Sequence, residues 1–248
     1  MNGAIFKRME ETGDRYWWYA GKRRLLRELL GAPPESPRGL ILDLGCGAGT
    51  LLPFLHQYGR PVGLEPSPDA VALARKSNTG MLIRASAEAL PFRAERFSLI
   101  AAFDCLEHVP HDDRTVRSIR SLLAEDGRLL ISVPAHAFLR SHRDTQLGHL
   151  RRYSRRSLAN LLEQAGFSID FLGYGYACLF VPLLFESLRD RLIAPPGQAK
   201  SDIRDLPEPW NGWMSRWLAL EAWWAVRVGL PFGTSLFALA HLTRKTLQ

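Results

Sequence analysis

The stretch Leu40-Ile41-Leu42-Asp43-Leu44-Gly45-Cys46-Gly47-Ala48-Gly49 constrains this chain more than any other. Leu40–Leu44 is short and almost wholly apolar, the pattern of a strand buried on both faces of a parallel sheet. Three glycines at alternate positions then permit a tight turn and a close backbone approach to a ligand. Leu51, Leu52 and Leu55 follow with the spacing of one apolar helix face, which predicts a helix over 50–57. A strand, a glycine turn and a helix start leave free N–H groups facing the loop, an arrangement that suits anions and nucleotides.

Details of the loop narrow the ligand. A dinucleotide fingerprint reads G-x-G-x-x-G and cradles a pyrophosphate. Here the glycines are Gly45, Gly47 and Gly49, and Asp43 places a carboxylate within the motif. That carboxylate would repel a pyrophosphate and suits a ligand carrying a cationic amino group. Val62-Gly63-Leu64-Glu65 reads as a second strand ending in an acid, placed where a carboxylate accepts hydrogen bonds from ribose hydroxyls. The residues ask for a nucleoside with a ribose diol and a cationic amino-acid portion, and S-adenosylmethionine (SAM) has both. A nicotinamide-dependent oxidoreductase on a related sheet is the alternative, against which the glycine spacing and Asp43 argue.

The motif, Glu65, Ala87-Glu88-Ala89-Leu90-Pro91-Phe92 and Leu106-Glu107-His108-Val109 together resemble the motif series of class I SAM-dependent methyltransferases. Within that family they are most similar to the bacterial small-molecule branch of ubiquinone-type enzymes, over about residues 38–135. The resemblance implies methyl transfer from SAM. It implies that Asp43 and the loop of Gly45, Cys46, Gly47 and Gly49 hold the methionine end, that Glu65 binds the ribose and that Pro66 shapes the next turn. Ser86, Ala87 and Glu88 then lie at the adenine. Many relatives carry an aspartate where Ser86 stands, so adenine binding here leans on the Ala87 backbone and on stacking. Phe103 and Asp104 border the sulfonium. His108 is a candidate general base, since histidine titrates near neutrality. Glu107 and His108 are adjacent metal-ligand types without a clear third, so no metal is expected.

The rest of the chain alternates strand and helix. Strands are expected at 61–64, 81–84, Phe97–Phe103, 127–133, 167–174 and 233–242, and helices at 68–76, 112–123 and 154–165. This predicts an α/β fold with a doubly wound, Rossmann-like sheet of seven mostly parallel strands, its ligand at their carboxyl ends. The family resemblance adds that the last strand is antiparallel and lies beside the fifth. Residues 1–34 read as an N-terminal helical flap in which Trp17 belongs to an aromatic cluster able to cover the substrate. The core runs over 35–174, a Trp-rich helical insertion over 175–230, and the final strand of the core over 231–248.

Residues 135–153 have no regular period and are rich in histidine and arginine. A long polar loop after a central strand is commonly functional. Its segment from His142 to Tyr153 resembles the one that covers the acceptor pocket in bacterial relatives. Arg151 and Arg152 suit a carboxylate or phosphate bidentately. His142 and Tyr153 line the pocket in this reading, and His149 is a second candidate base.

The chain has 248 residues and a net charge of +7, carried largely by arginine. This charge fits an anionic small-molecule or lipid-linked acceptor, an anionic membrane surface or nucleic acid. The seven tryptophans raise a nucleic-acid-associated module as an alternative. Their clustering in an amphipathic C-terminal segment beside arginines speaks rather for burial on the sheet or for a peripheral membrane contact. Three scattered cysteines give no disulfide framework or zinc spacing. With no apolar signal core at the N-terminus, a cytoplasmic protein is expected.

Overall fold

The computed structural model describes residues 16–77, 79–192 and 206–243. The first part of the expected flap, most of the proline-rich stretch 195–209 and residues 244–248 lie outside the described residues.

Seven strands form one sheet: β1 (Leu40–Leu44), β2 (Arg60–Leu64), β3 (Met81–Ile83), β4 (Phe97–Phe103), β5 (Leu123–Pro134), β6 (Phe167–Gly175) and β7 (Ser235–Leu242). Their order is β3-β2-β1-β4-β5-β7-β6. β1 to β5 pair in parallel, and β7 is antiparallel to both neighbours, β5 and β6. The expected α/β doubly wound sheet with an antiparallel last strand is therefore observed. The strand order reverses between β1 and β4, so the carboxyl ends of these two strands open the crevice in which such sheets bind ligands.

Side-chain alternation along the strands explains the layers. Leu42, Leu44, Ile100, Leu129 and Ile131 pack on one face against α4 (Asp112–Leu122) and α6 (Arg155–Gln164) through Val116, Ile119, Leu158 and Leu162. Ile41, Leu99, Leu130 and Phe237 face the other way, against α1 (Trp17–Leu30) and α8 (Trp210–Arg227) through Leu25, Leu26, Leu218 and Ala222. Gly21 lets those two helices approach, because a Cβ there would stand 2.6 Å from Leu218 Cδ1. The N-terminal helix is thus fixed across the sheet by a helix about 200 residues later in the sequence.

Several elements differ from expectation. The helix over 50–57 is a single turn, α2 (Leu52–Leu55), with Pro53 in its first turn, where a missing donor costs nothing. α3 (Pro68–Ala74) starts as expected, with Ser67 accepting from the Ala70 amide at 3.4 Å. β5 begins at Leu123, which already pairs with Phe97 before a register shift to Arg128 opposite Leu99. The loop 135–153 contains α5 (His142–Leu147), whose first turn is tied by the Asp144 carboxylate accepting from the Ser141 amide at 2.9 Å. Gly148, at φ 78°, ends that helix.

The Trp-rich segment holds α7 (Phe180–Leu192) and α8. The latter buries Leu218, Ala222 and Ala225 and leaves Trp210, Trp213, Trp217 and Trp224 exposed. The tryptophan face is therefore not packed on the sheet. No described helix is long and apolar enough to cross a membrane.

Candidate active site

At the carboxyl end of β1 the three glycines adopt φ values of 75°, 54° and 77°, which side chains resist. Gly45 and Gly49 are also crowded: a Cβ would come within 3.1 Å of Cys105 Sγ at the first and of Ala74 Cβ at the second. Cys46 is buried, with Sγ only 2.7 Å from where a Gly63 Cβ would be, so it packs the loop onto β2. Glu65, at the end of β2, clamps the corner. One carboxylate oxygen accepts from the Gly47 amide at 3.0 Å and the other from the Ser67 amide at 2.9 Å. Burial nonetheless raises its pKa, outweighing these two bonds.

Asp43 is 2% exposed, and its pKa is pushed up to about 7. Burial is the main cause; Glu65 adds to the rise and Lys22 opposes it. A buried carboxylate in this condition is suited to an incoming ammonium group, so the donor set fits the amino-acid end of SAM. Ser86 and Glu88 are exposed and Ala87 is half-buried. The Ser86 hydroxyl accepts from the Glu88 amide at 3.2 Å, so this turn is folded on itself. Pro66 is exposed, and its carbonyl accepts from Arg84 Nε at 3.3 Å.

Asp104 directly follows β4, in the left-handed region at φ 48°. Its carboxylate pairs with Lys22 of α1 and accepts from Ser132 Oγ at 2.9 Å. Burial pushes its pKa up, but Lys22 and Ser132 overcome this and hold it below the usual carboxylate value. The Lys22 ammonium also lies 5.8 Å from the centre of the buried Phe103 ring.

Glu107 and His108 follow in a short turn, Leu106–His108, and the acceptor-loop segment closes over them. The Leu150 amide donates to the Glu107 carbonyl at 2.8 Å. His108 Nδ1 is 3.2 Å from the Gly148 carbonyl and His149 Nδ1 is 2.8 Å from Asp144 Oδ1. Since carbonyls and carboxylates accept, both rings carry their proton on Nδ1 in the neutral form and keep a lone pair on Nε2. The two rings meet edge to face, 4.9 Å between centres. Glu107 is fully buried, neither oxygen has a hydrogen-bond partner among the described residues, and Oε1 is 3.9 Å from His149 Nε2. Burial raises the Glu107 pKa well above normal, helped by Asp104. Burial lowers that of His108, with His149 adding to the effect.

A family model described as a methyltransferase domain matches residues 16–170, well over half of the chain. The chain belongs to the class I SAM-dependent methyltransferases. Ubiquinone biosynthesis O-methyltransferase of Glaesserella parasuis is 30% identical over 103 residues, covering 37% of this chain and 44% of that protein. Trans-aconitate 2-methyltransferase of Deinococcus radiodurans is 30% identical over 160 residues, 56% of this chain and 59% of that protein. The chain thus matches about half the length of these curated relatives. Among solved structures, the Haloferax volcanii complex of the Trm112 methyltransferase activator with a putative methyltransferase aligns at TM-score 0.63 and 19% identity, over 99% of this chain and 96% of that one. A putative methyltransferase of Bacillus halodurans aligns at TM-score 0.58 and 17% identity, over 89% and 99%. The cofactor is SAM, and the nicotinamide alternative falls.

The methyltransferase keeps most of its acceptor-loop arginine chemistry to itself. Arg152 forms two bonds to Asp144, at 2.9 and 3.0 Å, and a third to the Ala135 carbonyl at 3.0 Å. Arg151 pairs with Asp112 at 2.8 Å and donates to the Pro110 carbonyl at 2.8 Å. Tyr153 is buried and donates to Asp112 at 2.7 Å. Arg152 and Tyr153 are buried and hold the loop down, which departs from the sequence reading; Arg151 is also engaged by an acid, on the neighbouring helix, but its side chain stays about one-third exposed. His142 opens α5, its amide bonded to Asp190 at 2.8 Å. The Trp17 amide bonds to Asn211 of α8 at 3.1 Å, and its ring lies between Tyr16 and Trp18. Neither ring nitrogen, His142 Nε2 nor Trp17 Nε1, has a partner among the described residues.

Two residues of the site escape the sequence reading. Lys22 shares a helix face with Leu25, Leu26 and Leu29, and a cation on an otherwise apolar stripe was the available clue. Asp144 reads as one more loop charge until the fold brings Arg152 and His149 onto it.

Proposed function

We propose that this methyltransferase transfers the methyl group of SAM to a hydroxyl oxygen of a small-molecule or lipid-linked acceptor, with the Glu107, His108 and His149 cluster handling the hydroxyl proton. The observation that carries the reading is His149, held by Asp144 with its Nε2 lone pair toward the interior, next to the end of β4. Bound SAM supplies an electrophilic methyl group on a sulfonium. The chain's part is to align the acceptor oxygen, exclude water and remove the proton so that the oxygen attacks as the C–S bond breaks. The name of the Glaesserella parasuis relative, an O-methyltransferase, supports oxygen as the methylated atom. Of the two arginines that suit an anionic acceptor, Arg151 is the one that keeps exposed surface.

The exposed tryptophans of α8, with exposed Arg216 and Arg227 among them, support a peripheral contact with a lipid surface, which would serve a lipid-linked acceptor. The test is transfer of labelled methyl from SAM into a cell extract, partitioned into lipid, aqueous, protein and nucleic-acid fractions. Alkali-stable label in a hydroxyl-bearing lipid or small molecule, reduced on the order of 10²-fold or more by His149→Asn, is the expected result. Label confined to protein or nucleic acid overturns it.

A further inference from the structure

We propose that the hydroxyl of Tyr176 donates a hydrogen bond to the acceptor, selecting molecules that carry a hydrogen-bond-accepting oxygen beside the hydroxyl that is methylated. This role rests on the O-methylation reading and deepens it.

The backbone marks the place. Four non-glycine residues have positive φ among the described residues, and three of them stand just past the ends of β4, β5 and β6: Asp104 at 48°, His136 at 60° and Tyr176 at 59°. These strands run the same way, since β5 and β6 are both antiparallel to β7. The three turns therefore share the carboxyl edge that also carries Asp43 and Glu65. A bulky residue in this region is strained; such strain persists only where its surroundings impose it, and it gathers at functional sites. Here the Tyr176 carbonyl accepts from the Leu179 amide at 3.2 Å and from the Thr234 hydroxyl at 3.5 Å. Glu221 of α8 accepts from the amides of Ala177 and Cys178, both at 3.0 Å.

The ring stacks on Trp18 of α1, 4.2 Å between centres, and meets Phe237 edge on at 5.7 Å. Trp18 lies one helical turn before Lys22, on the same helix face, and Lys22 holds Asp104. Burial, and after it the Asp104 carboxylate, push the Tyr176 pKa well above normal, so the group stays an O–H donor and is no base. β6 is four places from β1 in the sheet, about 19 Å at the usual strand spacing. The hydroxyl therefore approaches from the side of Asp104 opposite the Asp43–Glu65 corner that takes the cofactor.

Nothing in the fold uses this hydroxyl. Tyr176 is 2% exposed and its oxygen has no hydrogen-bond partner among the described residues, whereas the buried Tyr153 hydroxyl donates to Asp112 at 2.7 Å. Phenylalanine would make the same ring contacts without burying an orphan donor. A bound oxygen gives that donor a partner, and the direction of approach assigns the oxygen to the acceptor.

The test is Tyr176→Phe in the full chain, read beside the parent in urea unfolding, in S-adenosylhomocysteine affinity and in methyl transfer from labelled SAM. Transfer is measured against the amount of cell extract, in the fraction that the parent labels. The expected result is an unfolding midpoint equal to or above the parent's, an unchanged S-adenosylhomocysteine affinity, and about tenfold more extract for half-maximal transfer, the loss of one hydrogen bond. A transfer curve like the parent's overturns the proposal and leaves the O-methylation reading intact. A tenfold loss of S-adenosylhomocysteine affinity at an unchanged midpoint assigns the hydroxyl to the cofactor and also overturns it. So does a lowered midpoint, which shows the hydroxyl engaged within the fold. A parent chain whose label goes only to protein or nucleic acid fails the O-methylation reading itself, before any variant is made, and takes this proposal with it.

Discussion

The cofactor corner takes its groups from residues 43–65, one stretch of strand, loop, helix and strand, whereas the opposite wall joins Lys22, Asp104, Glu107, His108, Asp144 and His149 from three separate stretches of the chain. The first is held by backbone geometry: three positive-φ glycines and a carboxylate accepting from main-chain amides. The second is held by side chain on side chain, through a Lys22–Asp104 pair and an Arg152–Asp144–His149 chain. A backbone-built site tolerates change elsewhere and binds one ligand class. A side-chain-built wall can be re-specified by a few substitutions, the kind of place at which one fold comes to serve different substrates.

The sharpest break in this contrast is Asp144→Ala. It removes the acid on which Arg152, His149 and the Ser141 amide converge, and leaves a nearly buried guanidinium unpaired. The expected loss is about 3–5 kcal/mol in urea unfolding, the range for breaking a buried ion pair. His149 also loses its orienting partner. Stability within 1 kcal/mol of the parent chain would mean that the acceptor loop docks without this chain of contacts. The pair also has a pH signature. His149 and Arg152 outweigh burial and hold the Asp144 carboxyl far below normal. Its contribution is therefore complete above the ordinary aspartate pKa and fades as pH falls below it.

On the other side of the comparison, Glu65→Ala should leave the fold standing and weaken S-adenosylhomocysteine binding on the order of 10²-fold. That figure is what a carboxylate bond to a ribose hydroxyl and the loosened Gly47 amide would together supply, at about 1.5–3 kcal/mol per charged hydrogen bond. Calorimetric titration reads it directly. An unchanged affinity would show that the glycine loop alone defines the corner.

The difference between the two regions also explains what a reader of the sequence can see. Asp43, the glycines and Glu65 are legible because their spacing along the chain is their spacing in space. The doubly covered parallel sheet is legible because continuous apolar strands demand helices on both faces, whereas the place of the last strand is implied only by the family resemblance. His108 and His149 can be named singly from their surroundings, but not as a cluster with Glu107, since a 40-residue gap carries no distance. Arg151 and Arg152 look free in one dimension, because the acids that engage them, Asp112 and Asp144, are chosen by how the loop folds back. Lys22 reaches Asp104 only because Gly21 lets α1 settle against Leu218 of α8.

A smaller effect tests how the corner meets the cofactor's charge. Asp43 carries a pKa of about 7, far above its unfolded value. Its protonated form is favoured by folding, so the fold is least burdened below the unfolded pKa and loses stability as pH rises toward 7. A cofactor ammonium beside it restores the charged form, and binding should then release a proton at acid pH. Affinity for S-adenosylhomocysteine is expected to rise by up to about tenfold per pH unit and to level off above about pH 7. Titrations in buffers of different ionisation enthalpy count the proton. Asp43→Asn should flatten the profile; a slope that persists in that variant assigns the proton elsewhere.

The smallest expected effect on stability concerns neither wall but the outer face of α8. Trp213 and Trp217 are 55% and 45% exposed and stack on each other 5.8 Å apart, while the helix is anchored by Leu218, Ala222 and Ala225 beneath. Replacing both tryptophans by serine removes rings that are about half in water and stack on each other, so urea unfolding should shift by no more than about 1 kcal/mol. The same variant should lose co-sedimentation with anionic vesicles if these rings enter the lipid interface, where indole is favoured. A stability loss of 2 kcal/mol or more would mean that the rings support the α1–α8 layer and, through Lys22, the wall opposite the cofactor corner. The helix would then belong to the side-chain-built half of the site and not to a separate surface.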